Sequence, residues 1–259
     1  MTNKEIIKKY KKNNLNAFLH VYDFVEETEK AVTIKDNFAT KDAPTTSGSM
    51  LLKNFQPGYD ADVVKKIKEN NIAILAKTNL DELGMGGTGS LSAFGHVYNP
   101  LNKDRIVGGS SSGSAASIDN NIFASIGSDT GDSVRRPASF VGKVGFKPSY
   151  GSISRFGMFS YSQSLDTVGY FTNNVSDSIE ISKILFGKSK YDLTTKEVIK
   201  PLNETIKPKK VAVLDIHKDY SKKQNDDFEN LINKLTNDGV EVSKISLNKD
   251  ILELILPVY

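Results

Sequence analysis

The sequence predicts an α/β protein: a mixed, mostly parallel β-sheet core flanked by helices. Three observations predict it. Short apolar runs stand at residues 31–35 (AVTIK) and 72–76 (IAILA). Between them, residues 62–70 (DVVKKIKEN) carry Val63, Val64 and Ile67 on one side of a helix. Further on, residues 210–216, 220–237 and 240–247 repeat the order strand, helix, strand, and Gly239 stands where a helix C-terminal glycine belongs. Buried strands alternating with amphipathic helices are the pattern of a sheet covered on its faces.

The remaining elements follow in chain order. The first 30 residues read as helical, with Ile6, Ile7, Phe18, Leu19, Tyr22 and Val25 among charges. Lys4, Lys8, Lys9, Lys11 and Lys12 could touch RNA phosphates but read first as the solvated face of a short helix. Residues 84–116 are dense in Gly and Ser and poor in charge. Such a stretch between strands of one domain reads as ordered loops around a site, extending to Ser133, with glycines where the backbone must come close to a ligand. Residues 122–126 read as a strand. Residues 176–186 read as a helix with Asn174 or Ser176 at its N-cap. The chain ends on an apolar run, residues 251–259 (ILELILPVY). Natural ends are more often polar and frayed, so this one suggests a surface that something else covers.

Composition narrows the chemistry. The 259 residues are 38% hydrophobic and 25% charged, as in a globular domain. A net charge of +3 is too small to indicate nucleic-acid or membrane binding by itself. With no cysteine, disulfides, thiolate metal sites and a cysteine nucleophile are excluded. With His20, His96 and His217 as the only histidines, a histidine-based triad or metal site has little material. No apolar run approaches the roughly 18–20 residues of a membrane span, and the lysine-rich start has no apolar stretch behind it, so a cytoplasmic protein without a secretory signal is expected.

Several generic motifs occur by chance. Gly84, Gly86 and Gly89 satisfy G-x-G-x-x-G, but polar residues 78–82 separate them from the preceding strand, where a dinucleotide fingerprint must follow directly. Gly109, Ser111 and Gly113 satisfy G-x-S-x-G, but that elbow needs an acid and then a histidine downstream, where only His217 stands, in a lysine-rich segment. Ser246 and Lys249 form S-x-x-K in a charged stretch near the end. A serine hydrolase without a usable histidine needs another base. A lysine serves when burial or a nearby cation keeps it neutral. Lys35 closes an apolar strand, where its stem is enclosed and its amine can reach a site at the strand end. Residues 126–137 (IGSDTGDSVRRP) then run a strand into a glycine-containing turn that exposes Ser133. The backbone N–H groups of Thr130, Gly131, Asp132 and Ser133 are candidates for an oxyanion hole. Residue chemistry does not separate Ser110 from its serine neighbours.

IKDN at residues 34–37, GGSSSGSAA at 108–116 and GSDTGDSVRRPAS at 127–139, in this order and spacing, together resemble the amidase signature family. The intervening GMGGTGS and YNP, then VGFKPSYGSISRFG at 144–157 and SLDTVGYFTNNVSDS at 164–178, resemble the subgroup of the A subunits of glutamyl-tRNA(Gln) amidotransferases. The resemblance implies one partial amidase signature domain over residues 1–259. It implies a Lys–cis-Ser–Ser triad of Lys35, Ser110 and nucleophile Ser133, with Met85, Gly86, Gly109 and Asp129 in the substrate pocket and no metal or cofactor in this chain. It implies glutamine as amide donor and a heterotrimer with subunits B and C. ATP, magnesium and Glu-tRNA(Gln) would belong mainly to B. The alternatives are a stand-alone amidase acting on another amide, or a non-catalytic, partner-binding chain.

Three departures from the family pattern stand out. Asp132 replaces the usual glycine before the nucleophile, and its side chain is expected to point away from the oxyanion. Ser112 replaces another glycine. The interval from Ser110 to Ser133 is one residue short, with the deletion expected near Asp119–Asn121, between helix and strand. The family's chain also continues well beyond the position of Tyr259 and is longer before Lys35. The resemblance therefore implies a chain that keeps every triad position but lacks later sheet strands and the groups that grip the substrate's α-amino and α-carboxylate.

Overall fold

A computed structural model describes residues 1–197, 207–214 and 220–246. By its contacts the chain divides into two units, Met1–Leu202 and Asn203–Tyr259.

The first unit is a helix–sheet–helix sandwich. It begins with α1 (Asn3–Tyr10), capped by a reciprocal Thr2–Glu5 capping box. The strands are β1 (Phe18–Val21), β2 (Ala31–Lys35), β3 (Ala73–Thr78), β4 (Ala124–Asp129), β5 (Val144–Phe146) and β6 (Thr167–Thr172). They lie in the order β1-β3-β2-β4-β6-β5. The central pairs β2/β3 and β2/β4 are parallel, and β1/β3, β4/β6 and β5/β6 are antiparallel. Strands β2, β3, β4 and β5 therefore run one way, and β1 and β6 the other. Residues of β2, β3, β4 and β6 are buried throughout, as expected of strands covered on both faces.

Alternation along β2 sets the two faces. Val32 and Ile34 enter a core with Val63, Val64 and Ile67 of α2 (Asp62–Glu69) and Ile181 and Leu185 of α5 (Val175–Leu185). The opposite face packs Ala31, Ala73 and Leu75 against Ile6 and Ile7 of α1, Ala115 and Ala116 of α3 (Ser112–Ser117) and Ala138 of α4 (Arg135–Phe140). Thr33 and Lys35 share that second face. Thr33 bonds Ser117 of α3 at 2.8 Å and Ser125 of β4 at 2.6 Å. Asn174 caps α5 by accepting the Asp177 N–H at 2.8 Å. Asn174→Ala should lower stability by about 1 kcal/mol, read as a shift in the denaturant midpoint without a change in slope.

Two expectations need correction. The first 30 residues are not helical throughout: β1 takes residues 18–21 and pairs with β3. Residues 84–133 are not all loop, because α3 and β4 lie within them. The connection expected to absorb the deletion is a turn closed on Asp119, whose side chain accepts the Asn121 N–H at 2.8 Å.

In the second unit, β7 (Lys210–Leu214) and β8 (Glu241–Ile245) pair in parallel around α6 (Lys222–Asn237), which starts on a Ser221–Gln224 capping box. Gly239 takes φ +79°, the left-handed turn that stops α6. His217, Lys249 and the apolar segment 251–259 lie outside the described residues. No helix among the described residues is long and apolar enough to cross a membrane.

Candidate active site

Lys35 ends β2 with its side chain fully buried. Its Nζ meets two hydroxyls, Ser110 Oγ and Ser128 Oγ, both at 2.8 Å. Asn37 Nδ2 donates to the same Ser128 oxygen at 3.1 Å. No carboxylate among the described residues pairs with this amine. Burial therefore dominates, and it pulls the Lys35 pKa down to about 7 against the opposing pull of Asp81, Asp129 and Asp166. An amine so placed is available as a base near neutral pH.

Lys77, the neighbouring buried lysine on β3, is handled differently. It pairs with Asp36 at 2.9 Å and donates to the carbonyls of Phe38 and Pro44 and the hydroxyl of Thr45. Burial lowers its pKa too, but Asp36 pulls it back. In register, Lys77 stands opposite Ile34 and Lys35 opposite Thr78, so the two lysines leave opposite faces of the sheet.

The three adjacent serines separate by their partners. The Gly109–Ser110 peptide is cis, and Ser110 is the serine that reaches Lys35. Ser111 is committed to backbone: its hydroxyl donates to the Ser128 carbonyl at 3.0 Å and accepts the Ser128 N–H at 3.3 Å. Ser112 opens α3 with a buried hydroxyl that has no partner among the described residues.

Beyond β4 the chain enters the turn that carries Ser133. The Ser111 N–H donates to the Ser133 carbonyl at 3.2 Å, which ties this turn to the serine loop. Asp129 shapes the turn from inside. Its carboxylate accepts the N–H groups of Val134 and Arg135 at 3.0 and 3.3 Å and the Arg135 guanidinium at 2.9 and 3.2 Å. Asp129 thus has a structural task in holding this turn. Among the described residues no acceptor engages the backbone N–H of Thr130, Gly131, Asp132 or Ser133. The Asp132 carboxylate pairs with Arg136 four residues on, and Arg136 Nη1 reaches the Gly87 carbonyl at 3.4 Å. The side chain expected to turn from the oxyanion is held by this arginine.

Two of the glycines answer a neighbour within the protein. A Cβ on Gly109 would sit 2.1 Å from Asp81 Oδ2, and one on Gly86 2.7 Å from the same oxygen. Gly86 and Gly109 leave room for the buried Asp81, which accepts the N–H groups of Gly89 and Leu91 at 3.2 and 3.0 Å. Met85 is half exposed beside them. Sequence reasoning did not select Asp81, Ser128, Asn37 or Asp166. The signal available for Asp81 was the surplus of glycines on two loops, one five residues on at Gly86 and one 28 residues on at Gly109.

A sequence model of the amidase family matches residues 31–258. The chain belongs to the amidase family. It is 42% identical over 224 residues to the A subunit of the glutamyl-tRNA(Gln) amidotransferase of Prochlorococcus marinus, covering 83% of this chain and 46% of that one. To the corresponding protein of Mycoplasma genitalium it is 49% identical over 165 residues, covering 63% and 35%. The crystal structure of the corresponding protein from Thermotoga maritima superposes with TM-score 0.84 at 33% identity, over 94% of this chain and 58% of that one. The chain spans 46% and 35% of the two curated relatives and 58% of the crystallised one, so it matches only part of each.

Proposed function

We propose that the chain is the glutamine-hydrolysing component of a tRNA-dependent amidotransferase. The observation that carries this is the buried Lys35 amine, held to the hydroxyls of Ser110 and Ser128, beside a Ser133 turn whose N–H groups have no acceptor among the described residues. The similarity to A subunits of glutamyl-tRNA(Gln) amidotransferases supports glutamine as the amide donor. Neutral Lys35 takes the Ser110 proton as Ser110 takes the Ser133 proton. The Ser133 oxygen then attacks the side-chain amide carbon of glutamine. The oxyanion is met by N–H groups of residues 130–133. The C–N bond breaks as the proton returns through Ser110 to the leaving nitrogen, and ammonia departs. Water, deprotonated along the same path, hydrolyses the glutamyl ester on Ser133. In a complex with subunits B and C, the ammonia serves amidation of Glu-tRNA(Gln), for which B supplies the ATP and magnesium chemistry.

A serine-reactive fluorophosphonate followed by peptide mapping tests the assignment. The adduct should fall on Ser133, and glutamine should protect against it. Labelling of Ser110 or Ser111 instead would overturn the roles. Ammonia release from simple amides, indifferent to the partners and to Glu-tRNA, would mark a stand-alone amidase.

A further inference from the structure

Asp166 is buried, and its two oxygens receive four donors. Three come from one short segment: the Ser160 hydroxyl at 2.8 Å and the N–H groups of Tyr161 and Ser162 at 2.9 and 3.0 Å. The fourth is the Thr130 hydroxyl at 2.5 Å, from a residue 36 positions away. Asp166 precedes Thr167, which pairs with Asp129 at the end of the β4/β6 ladder, where β4 gives way to the Ser133 turn. Its own N–H and that of Leu165 close the local turn on the Ser162 carbonyl at 2.8 and 3.0 Å. The local turn is thus complete without Thr130. On its other side, the Ser160–Ser162 segment comes near Ser110: Tyr161 Cβ and Ser110 Oγ each lie 3.9 Å from where a Cβ on Gly84 would stand.

We propose that Asp166 is a positioning residue of the hydrolytic site: it fastens Thr130, and so the N–H row of residues 130–133, to the Tyr161 segment that walls the site beside Ser110. Substituting Asp166 itself would strand three other donors and confound folding with positioning. The sharper variant is Thr130→Val, which has the same shape, removes only the bridging hydroxyl and leaves Asp166 its local partners. Thr130→Ser restores the hydroxyl.

Amide hydrogen exchange reads the effect without depending on turnover. The reporters are the Ser111 N–H, bonded to the Ser133 carbonyl, and the Arg136 N–H, bonded to the Asp132 carbonyl at 2.9 Å. Thr130→Val should speed exchange at both by roughly tenfold, a loss expected for one hydrogen bond to a charged acceptor, while Thr130→Ser keeps wild-type protection. Ammonia release by Thr130→Val should fall about tenfold in kcat with little change in KM, because oxyanion contacts form in the transition state. Unchanged exchange at Ser111 and Arg136, equal acceleration in both variants, or faster exchange with an unchanged kcat would each overturn the proposal. The inference rests on the hydrolytic reading of the site. If the wild type releases no ammonia, that reading fails separately, and the exchange comparison still decides whether Asp166 holds the turn.

Discussion

Ser133→Ala and Lys35→Met should each lower ammonia release from glutamine by roughly ten-thousandfold, and the double variant should be no worse than either alone. Groups that pass one proton along one path fail together, so additivity of the two losses would overturn the shared mechanism. The pH dependence carries the second half of the argument. In the proposed mechanism Lys35 acts as base in its neutral form. Its pKa is lowered to about 7 by burial, so the rate should rise through about pH 7 and level off above it. Asp81, Asp129 and Asp166 oppose the lowering, and Asp81 does so most strongly. Asp81→Asn should therefore move the acid limb to lower pH. The folded pKa lies below that of an unfolded lysine, so the unfolded state binds more protons between about pH 7 and 10.5. Over that window stability should rise with pH in the wild type relative to Lys35→Met. A rate that is flat across pH 6–8 would remove Lys35 from the role of base.

The central strands were legible because each is a short apolar run closed by a polar residue. β1 was not. Phe18–Val21 is a half-buried edge strand, and its apolar residues fall in with those of α1 to mimic one long helix. β6 was hidden for another reason. Thr167–Thr172 contains Gly169, which argues against a strand interior. In the fold, a Cβ there would stand 2.7 Å from the Phe146 carbonyl of β5, so the glycine answers a neighbour that only the tertiary structure supplies.

The same limit applies to the site. Lys35 could be read because a lysine at the end of an apolar strand is conspicuous. Ser110 could not be told from Ser111 and Ser112 by residue type; the resemblance picked it, and the hydrogen bonds now separate all three. Asp81 and Asp166 look like surface carboxylates in sequence. Each is buried where a loop four to ten residues away turns its backbone N–H groups onto the carboxylate, and no helix or strand periodicity records such a turn.

Lys77→Met should destabilise the fold by about 3–5 kcal/mol, the cost of leaving one member of a buried ion pair uncompensated. Asp36 would keep the Thr46 N–H and hydroxyl, at 2.8 and 2.5 Å, but would lose the cation 2.9 Å from its other oxygen. The Phe38 and Pro44 carbonyls and the Thr45 hydroxyl would lose their shared donor as well. Adding Asp36→Asn removes the stranded charge while keeping an acceptor for Thr46, so the double variant should recover much of the loss in a denaturant titration. If the double variant is as unstable as Lys77→Met alone, lost packing rather than the unpaired carboxylate is the cause. The contrast with Lys35 explains why one buried lysine suits catalysis and the other structure. Lys77 is given a carboxylate and three further acceptors, which favour its charged form; Lys35 is given two hydroxyls, which do not. Lys35→Met should therefore spare stability near neutral pH far more than Lys77→Met does, although it removes a side chain buried just as deeply.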